Sequence, residues 1–217
     1  MRLAHDWELR ETSETPKGLV RDFIRPAVRA VPGAMAVRLG SCRLSLPLRL
    51  GSPDLSSQWS ETEAGLEIAV ARAEMAPHDI AMEFLICLGE TLWERAAAPE
   101  LASYLKLLQS EIDAGVTGEI DEEALHEKEA LLSSRTLARS RRQLERYARA
   151  SYASTAAEYV HCLWHDVTVR SGPEYLPPVP LRRRLELMES WFSPNRGYRL
   201  FPTTASACVR LRNATGN

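Results

Sequence analysis

Cys42-Arg43-Leu44-Ser45-Leu46-Pro47-Leu48-Arg49-Leu50 alternates apolar and polar residues with a period of two, and this stretch decides the fold class. Successive side chains of a strand point to opposite faces, so Cys42, Leu44, Leu46, Leu48 and Leu50 share one buried face. Pro47 falls on the other face and predicts an edge strand, because proline has no N–H for a central ladder. Upstream, Val37 and Leu39 are out of phase with this series, which predicts a bulge or kink at Gly40-Ser41. Downstream, residues 51–64 are rich in Ser, Asp and Glu and read as a loop. Leu66, Ile68 and Val70 then alternate as a second strand.

Around this small β element the pattern is helical. Residues 19–31 place Leu19, Val20, Phe23, Ile24, Ala27 and Val28 on one side of a helix and Arg21, Arg25 and Arg29 on the other. The amphipathic helix is expected to bend at Pro26. After Pro77 the spacing predicts helices near 78–97, 99–113, 121–149, 152–169 and 181–191, with breaks at residues 115–118 and 171–180. The expected fold is α+β and predominantly helical: an N-terminal helix, a small edge-stranded β element, then a helical bundle. A chain of 217 residues, 45% hydrophobic, supports one core and a single domain over residues 1–217. Residues 1–15 and 205–217 are expected to be poorly ordered.

Composition narrows the function classes. Lys and Arg number 27 against 29 Asp and Glu, so the net charge of -2 argues against a nucleic-acid binder. The first residues are polar, with no secretory signal pattern. The longest apolar run, residues 80–88, is interrupted by Glu83 and is too short to span a bilayer. The reading is therefore a cytoplasmic location, no membrane, and free thiols at Cys42, Cys87, Cys162 and Cys208. The partner implied is a protein or peptide, with its identity and the oligomeric state left open.

Two constellations carry chemistry. Glu83 stands alone in the apolar run Ile80-Ala81-Met82-Glu83-Phe84-Leu85-Ile86, where a carboxylate is paired, neutralised or placed for a purpose. Alternatively, Asp79, Glu83, Glu90 and Glu94 fall within about 60° of one another on a helix and form a solvent stripe. The second constellation is Glu158, His161, Cys162 and His165. His161 and His165 stand at i, i+4, a spacing that can chelate a metal, and Glu158 neighbours His161 at i, i+3. Glu158 and His165 lie about 10.5 Å apart along the axis, so an ion here needs ligands from elsewhere. The arginines at 135–149 and the run Arg182-Arg183-Arg184 read as solvated faces.

Taken together, the order of elements resembles the zincin metallopeptidases. Ala81-Met82-Glu83-Phe84-Leu85-Ile86 is similar to the helix that carries HExxH in that family. Tyr152-Ala153-Ser154-Thr155-Ala156-Ala157-Glu158-Tyr159 is similar to the segment that supplies a third zinc ligand in one branch. The resemblance implies Glu83 at the general-base position and Glu158 at the third-ligand position. Met82 and Ile86 occupy the two histidine positions, and neither a thioether nor a hydrocarbon replaces imidazole there. The resemblance thus implies a degenerate site with no cofactor, in a domain that acts by binding or scaffolding. Two alternatives stand beside it. One is a metal-dependent hydrolase, with zinc held by His161, His165 and one or two of Glu158, His78 and Glu83. The other is a helical interaction protein unrelated to zincins.

Overall fold

The computed structural model describes residues 1–10, 14–52, 55–133, 137–165 and 172–201. Of the residues 1–15 that the sequence leaves poorly ordered, Glu8–Arg10 form a strand of the sheet. A 3-10 turn (Ala4–Asp6) leads into β1 (Glu8–Arg10), and Trp7 and Leu9 are both 1% exposed. The Trp7 indole N–H donates to the Gly40 carbonyl at 2.8 Å, which fixes this segment against the start of the next strand. The two apolar residues flanking Glu8 anchor the segment, because their burial offsets the entropy of ordering so short a strand.

Next come α1 (Lys17–Leu19), a π-helical turn (Val20–Ile24) and α2 (Arg25–Ala30), which run on without interruption. Pro26 offers no N–H and its ring crowds the carbonyl four residues back; the widened π turn relieves both where a bend was expected. The short helix α3 (Gly33–Leu39) ends at Gly40, whose φ of +65° suits a residue without Cβ. Val37 and Leu39 were out of phase for this reason: they belong to a helix, and no bulge is present at Gly40-Ser41.

The sheet contains β1, β2 (Cys42–Ser45), β3 (Ser57–Thr62) and β4 (Gly65–Val70) in the order β1-β2-β4-β3. β1, β2 and β4 are parallel, and β3 pairs antiparallel with β4 at one edge. Two expectations are corrected. β2 is an interior strand that stops at Ser45, so Pro47 lies beyond the regular ladder and requires no edge. The true edge next to the helices is β3, drawn from the segment expected to be a loop; Ser, Gln, Glu and Thr suit a strand whose outer positions meet water. Leu9, Leu44, Leu66, Ile68 and Val70 form the buried face, while Arg43 and Glu67 pair across the other at 2.8 Å.

The helical part holds α4 (Pro77–Glu94), α5 (Ala98–Asp113), α6 (Glu122–Leu132), α7 (Leu137–Trp164) and α8 (Pro178–Trp191). The expected helices over 121–149 and 152–169 divide elsewhere. Nothing at Ala150-Ser151 breaks a helix, so α7 runs through it for 28 residues, and the division falls after Leu132. α4 packs against the sheet on one side and α7 on the other. Its N-terminal end meets the C-terminal end of α7, through His78 and His161, while Trp93 meets Tyr152 at the opposite end, so the two helices are antiparallel. The architecture is the α+β, predominantly helical one that the sequence implied. No described helix is long and apolar enough to cross a membrane. Residues 205–217 and Cys208 lie outside the described residues; Cys42, Cys87 and Cys162 are buried free thiols.

Candidate functional site

A cleft of about 670 Å³ opens between α4 and α7. Helical spacing decides what lines it. From α4 come His78, Met82 and Ile86, at i, i+4 and i+8, with Glu83 beside them; from α7 come Ser154, Ala157 and Glu158. The opposite wall is a short parallel pairing of the 118–120 and 174–176 segments. Glu119 N–H donates to the Glu174 carbonyl at 2.9 Å, and Leu176 N–H donates to the Glu119 carbonyl at 2.9 Å. Gly118, with φ +74°, permits this approach, since a Cβ there would stand 2.2 Å from the Tyr175 carbonyl oxygen.

Glu83 is half-buried. The Ser57 and Ser56 hydroxyls of the β3 edge donate to its carboxylate at 2.7 and 3.1 Å. About two turns further on, the Trp59 indole donates to Glu90 at 2.7 Å. The predicted stripe therefore divides: Asp79 and Glu94 are exposed, while Glu83 and Glu90 are held by the edge strand. Asp79, Glu83, Asp121, Glu122, Glu158 and Glu174 give the cleft a strongly acidic lining, and none of its described lining residues is Lys or Arg. Burial pushes the Asp121 carboxyl up to about 6, against the pull of the Ala124 N–H that it caps.

The predicted metal set is only partly assembled. Glu158 accepts from His161 Nδ1 at 3.3 Å and from Cys162 Sγ at 3.4 Å, and these three residues form a compact group. His165 is exposed and stacks on His161, with ring centroids 5.3 Å apart, without joining that group. Across the helix interface, His78 Nε2 comes within 3.0 Å of His161 Nε2. Burial and the adjacent Glu158 push the Cys162 thiol up, so it stays protonated.

Sequence reasoning missed the charged centre behind the cleft. Arg184, read as part of a solvated run, is 0% exposed. Its guanidinium donates to Glu111 at 2.6 Å and to Glu119 at 2.6 and 2.9 Å, and to the Ser151 hydroxyl at 2.7 Å. Lys128 and Tyr147 complete the shell around Glu119. Burial alone would raise the Glu119 carboxyl, but Arg184 and Lys128 hold it below its ordinary value. A signal for this existed: Arg184 stands four residues after Pro180 and four before Met188, on the buried side of α8.

No family model, curated protein or solved structure matches this chain. At the α4 face beside Glu83 the side chains are a thioether and a hydrocarbon, which give a borderline divalent metal no nitrogen or oxygen to bind. What the lining does supply is negative charge around an apolar floor.

Proposed function

We propose that this chain is a zincin-like domain without a working zinc-peptidase site, acting as a binding or scaffolding module. Its cleft takes a cationic, partly apolar segment of a protein partner. One observation carries the reading: Met82, Glu83 and Ile86 of α4 face the same cleft as Glu158 of α7, so the two helix segments that resemble zincin motifs share one cleft, with no imidazole at positions 82 and 86. Apolar side chains of the partner would cover Met82 and Ile86, and Lys or Arg would meet the surrounding carboxylates.

The test is a calorimetric titration of the metal-free chain with short peptides of matched length, one set alternating Lys or Arg with Leu and the other Glu with Leu. The basic set is expected to bind, with an affinity that falls as salt is raised and about tenfold further in Glu83→Gln. Mass spectrometry should find the bound peptide intact. Equal binding of the two sets, or cleavage of either, would remove the reading.

A further inference from the structure

At the end of the cleft nearest the C-terminus of α7 stand two histidines that the binding reading does not use. His78 Nε2 and His161 Nε2 point at each other across 3.0 Å. Each ring has a carboxylate on its other nitrogen: Asp79 Oδ1 lies 3.4 Å from His78 Nδ1, and Glu158 Oε2 lies 3.3 Å from His161 Nδ1. The chain of groups is carboxylate, imidazole, imidazole, carboxylate. Protons on both Nδ1 atoms satisfy both carboxylates but leave two bare Nε2 lone pairs facing each other. Moving one proton to the centre instead leaves a bare Nδ1 against a carboxylate. Either way the row has one proton too few for its three gaps, and a cation between the two Nε2 atoms fills the central one.

We propose that His78 and His161 are ligands of a divalent transition metal at the mouth of the cleft, with His165 as the third imidazole. Asp79 and Glu158 stand behind the first two rings as hydrogen-bond partners, the arrangement that fixes tautomer and ring orientation at histidine metal sites. Two nitrogens on one tetrahedral ion, at metal–nitrogen lengths of about 2.0–2.1 Å, lie about 3.3–3.4 Å apart. A small rotation of His78, whose side chain is 32% exposed, opens the observed distance to that value. The His165 ring is 6.0 Å from that of His78 and exposed, so a change of rotamer brings it to the ion. Cys162 Sγ is engaged with Glu158 at 3.4 Å. Three neutral imidazoles suit zinc, cobalt or nickel and leave a fourth position. His78 and Glu158 both line the cleft, so this position opens towards it and admits water or a donor atom of the occupant. The site stands one helical turn from Met82, away from the position that the zincin resemblance marks.

The experiment uses the full chain without a polyhistidine tag, stripped with chelator and titrated with zinc against an indicator, then with cobalt followed by its absorption spectrum. One ion per chain is expected, with the intense visible bands of tetrahedral cobalt and no sulfur-to-metal band. His78→Ala and His161→Ala should each weaken binding about 100-fold or more, His165→Ala about tenfold or more, and Glu158→Gln about 10- to 100-fold. His126→Ala, on the exposed side of α6, should change nothing. Far-UV circular dichroism confirms that each variant is folded, and His161→Gln replaces any alanine variant that is not. Failure of the wild type to hold one equivalent overturns the proposal and leaves a shared proton between the rings. Loss of binding on Cys162→Ser together with a cobalt–thiolate band, and indifference to His78→Ala, would also overturn it by giving the ion to Glu158, His161 and Cys162. The peptide titration is run on metal-free protein, so the two readings fail independently.

Discussion

Gly89 lies in the middle of α4, where glycine costs about 1 kcal/mol relative to alanine. Its place is explained by the neighbouring helix: a Cβ there would stand 2.4 Å from the Ala153 carbonyl oxygen and 2.7 Å from Ala153 Cα. The close contact of α4 with α7 that forms the cleft therefore depends on one missing methyl group. Gly89→Ala gains helix propensity but must push the helices apart, and a net loss of about 1–3 kcal/mol is expected in equilibrium urea unfolding. A variant as stable as the wild type would mean that the helices are not held so closely. At this scale the sequence was partly legible. Glu83 and Glu158 stand out as lone carboxylates in apolar surroundings. The meeting of His78 with His161 stood only as one of several options for completing a metal set, because 83 residues separate them and no local period reports such a contact.

At the scale of elements, α8 is fastened by a charge rather than by apolar surface alone. Arg184 ties it to Glu111 of α5, to Glu119 in the cleft wall and to Ser151 of α7. Replacing Arg184 with Met leaves buried Glu111 without its counter-charge and Glu119 with Lys128 alone, and a loss of about 3–5 kcal/mol is expected at neutral pH. The pH dependence gives the mechanism its own check. Glu119 titrates below its ordinary value of 4.5, so its contribution is fully present above about pH 4.5 and is lost as pH falls through the depressed folded value. Without Arg184, burial favours the protonated carboxyl, and stability should rise as the pH is lowered. The deficit of Arg184→Met against the wild type should thus shrink between pH 7 and pH 4 in chemical denaturation; a constant deficit would assign the loss to packing. The elements read well from sequence where periodicity was long, as in α4 and α5. β3 was lost because its water-facing positions conceal the alternation, and the α6–α7 division because both sides are strongly helix-forming.

At the scale of the molecule, the fold brings α4, which follows the sheet, antiparallel to α7, which closes the cleft more than 60 residues later. The α+β class follows from a period-two stretch set in helical sequence, but the depth and lining of the cleft depend on long-range packing that no local pattern encodes. If this pairing is of the zincin kind, the missing chemistry is limited to two side chains. Met82→His with Ile86→His creates His-Glu-x-x-His around Glu83 and places two imidazoles one turn apart, facing the cleft that Glu158 also lines. The double change is best made together with His78→Ala and His161→Ala, so that any ion gained belongs to the new pair. One zinc per chain is expected in that background, with affinity reduced about tenfold or more by Glu158→Gln. Zinc binding indifferent to Glu158 would mean that the carboxylate stands too far from α4 for a zincin-like set. A folded variant that binds no zinc would mean that the two helices share a cleft without sharing that geometry, and the resemblance would then extend no further than the order of elements.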